Sequence, residues 1–130
     1  MKIAQELWAL HDQCKVYTFT GPLGVGKTTL VREILRQAGV ADTVSSPTFT
    51  YVNVYKNPQG QTFYHFDAYR LNTLEQFQLQ GFDEYLYAPN SWAFIEWPEH
   101  VAPILTHQVC EVTLEYGADQ KRQLRYTVRP

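Results

Sequence analysis

The stretch Gly21-Pro22-Leu23-Gly24-Val25-Gly26-Lys27-Thr28 constrains this chain more than any other feature. It fits the spacing G-x-x-x-x-G-K-[ST] of a phosphate-binding loop. Gly21 and Gly26 admit backbone angles closed to other residues, so successive N–H groups can turn inward around an anion. Lys27 adds a mobile cation for the outer phosphates, and the Thr28 hydroxyl is a ligand for Mg²⁺. The flanks agree. Val16–Thr20 is a short β-rich run that reads as a strand. Thr28–Gln37 shows helical spacing through Leu30, Ile34 and Leu35, and Gly39 is a stop signal. The positive end of that helix points at the same anion.

Composition limits the class. A chain of 130 residues is one domain, 1–130, large enough to bury a core. Hydrophobic content of 45% with 18% charged residues excludes a disordered chain. A net charge of −2 leaves no electrostatic footprint for direct nucleic-acid binding. No apolar run reaches the ~18 residues that span a bilayer, so no membrane association is expected. The N-terminus, broken by Glu6, His11 and Asp12, lacks a secretory core, which points to the cytoplasm. Cys14 and Cys110 lie far apart, match no metal spacing and read as reduced, buried thiols. The aromatic content of 15% must divide between core and a partner surface, in proportions that sequence does not reveal.

Along the chain, Ala4–Leu10 reads as a short amphipathic helix leading into the first strand. Residues 43–48 read as loop, and Phe49–Lys56 and Thr62–Asp67 as a hairpin around the turn Asn57-Pro58-Gln59-Gly60. Leu71–Leu79 reads as a helix capped by Asn72-Thr73 and ended near Gly81, followed by a helical turn at Asp83–Tyr87. Ser91–Glu96 reads as a buried strand and Glu99–Leu105 as a short helix. Val109–Tyr116 and Gln123–Val128 read as a closing hairpin. The expected fold class is α/β: a three-layer, P-loop NTPase-like fold with a mixed parallel and antiparallel sheet.

Two apolar strands end in an acid, Asp67 and Glu96. A metal held by Thr28 requires such an acid at a neighbouring strand end, where ligands bind in open α/β sheets. Glu96 is assigned to the metal side, acting through water, and Asp67 to water orientation or outer-shell metal contact. The alternative for each is an exposed strand-end acid or a helix cap. Thr48, in Ser46-Pro47-Thr48, stands where a loop sensing the γ-phosphate would lie, or in an ordinary turn. His65, two residues before Asp67, faces the same side of its strand and either orients that acid, contacts substrate or is structural. Arg70 reads as a phosphate or partner contact, or as a solvated surface residue. Removing either acid is expected to spare the fold and cut hydrolysis roughly 10²-fold or more.

With these residues in place the chain resembles the TsaE (YjeE) family, small P-loop ATPases serving threonylcarbamoyladenosine modification of tRNA. The resemblance rests on an ordered series: 21–29 with Arg32, Ser46-Pro-Thr-Phe49, Tyr64-His-Phe-Asp-Ala-Tyr-Arg-Leu71, Gly81-Phe-Asp-Glu-Tyr85 and Phe94-Ile-Glu-Trp-Pro-Glu99. It implies that Gly24, Gly26, Lys27, Thr28 and Thr29 hold nucleotide phosphates, joining Gly21 and Val25 of the loop. It implies Thr28 and Glu96 as Mg²⁺ positions, Asp67 as needed for hydrolysis, Thr48 in a switch-like loop and Trp97 near the site. ATP is then the substrate and Mg²⁺ the cofactor. TsaD and TsaB homologues are the partners, with tRNA reached indirectly, and slow hydrolysis resets their complex. There are departures. The family carries a Thr near its start that contacts the nucleotide, whereas no Thr precedes Thr18 here. Pro22 stands where the family more often has a polar or acidic residue.

Other classes compete. A small P-loop kinase needs an acceptor pocket and an arginine-bearing lid. Beyond Glu99 the chain offers the cluster Lys121, Arg122 and Arg125, with Arg70 the other candidate. A GTPase would carry an Asn/Thr-Lys-x-Asp segment, and none is present. A nucleotide-binding interaction module without turnover is the third alternative, separated by measuring hydrolysis with and without partners.

Overall fold

The structure, a computed structural model, describes residues 2–47, 51–69 and 73–130. Thr48, Phe49, Thr50, Arg70, Leu71 and Asn72 lie outside the described residues, and with them the readings of Thr48, Arg70 and the Asn72 cap. Elements follow in the order α1 (Lys2–Trp8), β1 (Val16–Thr20), α2 (Lys27–Gln37), β2 (Val52–Lys56) and β3 (Thr62–Asp67), then α3 (Leu74–Leu79), β4 (Ser91–Glu96), β5 (Val109–Tyr116) and β6 (Arg122–Arg129). They form a six-stranded sheet in the order β2-β3-β4-β1-β5-β6. β3, β4, β1 and β5 run parallel, and β2 and β6 close the edges antiparallel. The expected mixed α/β architecture is therefore the observed one.

Period-two alternation explains the layers. On β4, Trp92 and Phe94 join the core under α1 and α2, while Ala93 and Ile95 join the core under α3. All six residues of β4 are buried, as expected for a central parallel strand covered on both faces. The aromatic residues mostly fill these cores. Tyr17 stacks on Phe94 at 5.1 Å on one face, and Phe66 meets Phe77 and Phe82 at 5.4 and 5.5 Å on the other. Tyr69, Tyr85, Tyr116 and Tyr126 remain exposed.

Local departures have local causes. The short helix expected over Glu99–Leu105 contracts to one 3₁₀ turn at Ala102–Ile104, because Pro103 has no N–H to continue a ladder and sits in the first turn. The turn expected at Asp83–Tyr87 is a 3₁₀ turn at Phe82–Tyr85. α3 starts at Leu74, where Thr73 accepts a bond from the Gln76 N–H at 3.1 Å. No helix among the described residues is long and apolar enough to cross a membrane.

Cys14 and Cys110, distant in sequence, are both buried and share a side-chain hydrogen bond. Burial pushes both thiols up from the ordinary 9.0, Cys110 to about 12. It also raises the Tyr17 phenol, whose hydroxyl donates to the Leu7 carbonyl at 2.7 Å. Acids whose folded pKa exceeds the unfolded value stabilise below the unfolded value and lose that contribution as pH rises through the folded one. The melting temperature is therefore expected to hold through neutral pH and to fall from pH 9 towards 12. Thermal melts that stay level across that range would contradict the burial described.

Candidate functional site

The parallel register brings the strand ends together. Asp67 pairs with Glu96 across β3 and β4, and Phe19, one residue before the end of β1, pairs with Glu96 on the other side. The loop leaving β1 therefore begins beside both acids. It consists of Gly21 to Gly26 and feeds straight into α2.

Two glycines are required there for different reasons. Gly26 has φ 105°, the left-handed side that disfavours other residues, and a Cβ on it would lie 2.5 Å from the Arg122 guanidinium. Gly21 is near extended, with φ 159°, so its need is spatial: a Cβ would collide with the Leu114 carbonyl oxygen. As N-cap of α2, Gly26 brings no side-chain acceptor, so the helix's first N–H groups are left to another partner. The Val25 side chain is fully buried in the core, so only its backbone belongs to the loop.

Lys27 is 5% exposed. Its ammonium donates to the carbonyls of Gly21 and Pro22 and lies 3.7 Å from the centroid of the Trp97 ring. Burial lowers its pKa, opposed by the negative charges of Glu96, Glu99 and Asp67. Trp97 is held at φ 58° where β4 ends, and its ring meets Tyr69 at 4.8 Å.

The Thr28 hydroxyl reaches both oxygens of Glu96, at 3.0 and 2.8 Å. Glu96 is 4% exposed, and its Oε2 also contacts His65 Nε2 at 2.6 Å. Such a short contact to a carboxylate places the imidazole proton on Nε2. His65 Nδ1 is buried with no partner among the described residues. The sequence placed His65 on the same side as Asp67. It does face that side, but its bond goes to Glu96 across the strand pair.

Asp67 is half-buried. Its Oδ1 accepts from the Tyr69 N–H at 3.0 Å, an Asx-type bond that holds the carboxylate in place. Its Oδ2 accepts from the Ser46 hydroxyl at 3.4 Å. Ser46 is carried there by a loop tied through the Arg32 guanidinium to the Val44 carbonyl and through Asn53 to the Ser45 carbonyl, both at 3.1 Å.

A hollow of about 310 Å³ gathers most of the residues assigned from sequence. Gly24, Gly26, Lys27, Thr28 and Thr29 line it on one side, and Asp67, Glu96 and Trp97 on the other. His65 stands behind Glu96 as its support. Leu23, 70% exposed at the rim, and Ser46 also line the hollow, and neither carried a sequence-based role. Two further residues went unassigned. The Tyr116 hydroxyl donates to the Gly24 carbonyl and Arg122 Nη1 to the Val25 carbonyl, both at 3.3 Å. Arg122 was marked in the sequence only as part of the basic cluster weighed for a kinase, and Tyr116 not at all, because the closing hairpin reaches the loop only through folding.

A glycine-rich loop between a central parallel strand and a helix, opposed by strand-end acids, defines an α/β protein of the phosphate-loop architecture. The crystal structure of Bacillus subtilis YdiB has this fold, with a TM-score of 0.72 over 99% of this chain and 80% of that one, at 23% identity. The family model described as "Threonylcarbamoyl adenosine biosynthesis protein TsaE" matches residues 1–124. The Haemophilus influenzae tRNA threonylcarbamoyladenosine biosynthesis protein TsaE is 37% identical over 92% of this chain and 75% of its own length. The Treponema pallidum protein of the same name is 35% identical over 88% and 83% respectively. The chain belongs to the TsaE family.

Proposed function

We propose that this chain binds ATP in the hollow and hydrolyses it slowly, as the ATPase subunit of the machinery that makes threonylcarbamoyladenosine in tRNA. Family membership supports the pathway. The observation that carries the chemistry is the convergence on one hollow of the Lys27 ammonium, the Thr28 hydroxyl and the Glu96 carboxylate. TsaD and TsaB homologues in the cytoplasm are the expected partners, with turnover resetting their complex and tRNA engaged through it.

The donor set suits Mg²⁺. Thr28 and Glu96 offer oxygen only, and among the described residues no cluster of three or more His, Cys, Asp or Glu forms a dedicated metal cage. Mg²⁺ is commonly held by one or two protein oxygens together with phosphate and water. Bound there, it would neutralise charge on the outer phosphates. The chain's own groups do the rest. Lys27 gives its ammonium to the phosphates from a partly dry position, where the charge counts for more than in water. His65 fixes the orientation of Glu96. Asp67, anchored through Oδ1, presents Oδ2 to the hollow to align a water for in-line attack.

Trp97 provides a direct test. Trp8 and Trp92 pack together at 5.4 Å at the other end of β4, so only Trp97 lies in the hollow. Adding MgATP is expected to change tryptophan emission in the wild type, and Trp97→Phe should abolish the response. A full response in that variant would mean the nucleotide binds elsewhere. Steady-state ATPase assays with and without TsaD and TsaB homologues then separate an ATPase from a silent binding module.

A further inference from the structure

The glycine loop is held from outside by the closing hairpin. Tyr116, the last residue of β5, and Arg122, the first of β6, pair across the two strands. The Tyr116 hydroxyl and the Arg122 guanidinium donate to successive loop carbonyls, those of Gly24 and Val25. From inside, the same stretch is anchored by the Val25 side chain, fully buried in the core. Arg122 is available for this contact. Arg125 pairs with Glu115 at 3.3 Å and Arg129 with Glu111 at 3.0 Å, whereas Arg122 has no carboxylate partner among the described residues.

Peptide geometry gives these two bonds a consequence. No peptide bond among the described residues is cis, and across a trans bond the C=O and the N–H point opposite ways. Holding the Gly24 carbonyl to the hairpin turns the Val25 N–H away from it, and holding the Val25 carbonyl does the same for the Gly26 N–H. Gly24 and Gly26 line the hollow, and no described residue of the hairpin does. The Val25 N–H meets the Pro22 carbonyl at 3.3 Å, while the Gly26 N–H has no partner among the described residues. The loop alone does not secure that donor. Gly24 and Gly26 sit at φ 78° and 105° and rotate more freely than other residues, so the peptides they flank can flip. A flip presents a carbonyl oxygen to an anion in place of a donor. Water can satisfy the outward carbonyls of a loose loop but cannot fix where they point.

We propose that Tyr116 and Arg122 are positioning residues for the phosphate loop. They act through the main chain, without touching the ligand, by locking two successive peptide planes so that amide hydrogens face the phosphates. The inference rests on the nucleotide reading above. The two clasps differ in strength. The charged guanidinium bonds its carbonyl more firmly than the phenol does, and it polarises that peptide, which makes the Gly26 N–H the stronger donor.

Calorimetry with MgATP and with magnesium tripolyphosphate, on the full chain, reads the effect. Tyr116→Phe is expected to weaken both ligands by the same factor, about fivefold, the scale of one neutral hydrogen bond. Arg122→Gln should weaken both about tenfold, as for a charged donor. The double variant should lose less than the product of the two, because one loop answers to both clasps. Melting temperatures should stay at wild type, since both side chains are exposed. Amide ¹H–¹⁵N spectra of the ligand-free proteins add a readout that needs no ligand: the Val25 and Gly26 resonances should move in each single variant while those of α3 stay. Losses that multiply in full would mean that Arg122 touches phosphate itself, and would overturn the clasp. So would wild-type affinity in either single variant, or loop resonances that do not move. Those failures leave nucleotide binding intact. A wild-type protein that binds neither ligand would instead overturn the nucleotide reading, whatever the amide spectra show.

Discussion

Lys27→Ala is expected to weaken MgATP binding by about 10²-fold or more and to remove turnover. The ammonium is nearly buried and fixed by two loop carbonyls and the Trp97 ring. A hydrogen bond from a charged donor contributes ~1.5–3 kcal/mol. Every ~1.4 kcal/mol is tenfold in affinity. Arg122 cannot stand in, since it lies on the hairpin side of Gly26. Lys27→Arg should fail as well, because a planar fork cannot occupy the pocket shaped for a compact ammonium between two carbonyls and an indole. The fold should survive, because the alanine forfeits chiefly the attraction to Glu96, Glu99 and Asp67 and is spared the burial of a charge. Calorimetry decides the matter: affinity within threefold of wild type would remove Lys27 from the site.

Glu96 should separate catalysis from folding, provided the right substitution is chosen. Glu96→Gln can keep its one oxygen in the Oε2 position, which meets both the His65 N–H and the Thr28 hydroxyl, but deletes the charge. It is expected to cut ATP hydrolysis roughly 10²-fold, the scale of losing an electrostatic positioning group, with little change in melting temperature. Glu96→Ala should lose the same activity and also stability. It would leave His65, fully buried, without a partner at either ring nitrogen. A stranded buried donor costs ~1–3 kcal/mol. The expectation from sequence that alanine would spare the fold is thus revised by the contact with His65. Single-turnover hydrolysis and thermal melts on both variants make the comparison. Equal stability of the two would mean that His65 is not supported by Glu96, and wild-type turnover in Glu96→Gln would remove the acid from the chemistry.

Much of the site was legible because it is local or periodic. The glycine loop is contiguous, and the alternation of Phe63, His65 and Asp67 on one face follows from the strand itself. An acid closing an apolar strand marks the end where ligands collect. What was missed crosses between strands. His65 lies opposite Phe94 and reaches diagonally to Glu96, the partner of Asp67 on β4, a contact that alternation along one strand does not reveal. Cys14, two residues before β1, meets Cys110 on the neighbouring β5 of a sheet whose order departs from chain order.

The order of residues alone determined the loop, the helix behind it, the two acids and the α/β class, since each rests on contiguous motif or on periods of two and 3.6 that local backbone geometry enforces. Only the tertiary structure decided which groups touch. Parallel pairing of β3, β4 and β1 set Asp67 and Glu96 side by side, and the closing hairpin folded back to lay Tyr116 and Arg122 against the loop. Those contacts join segments far apart in the chain, and they exist because burying both faces of one sheet leaves its strands a single consistent order.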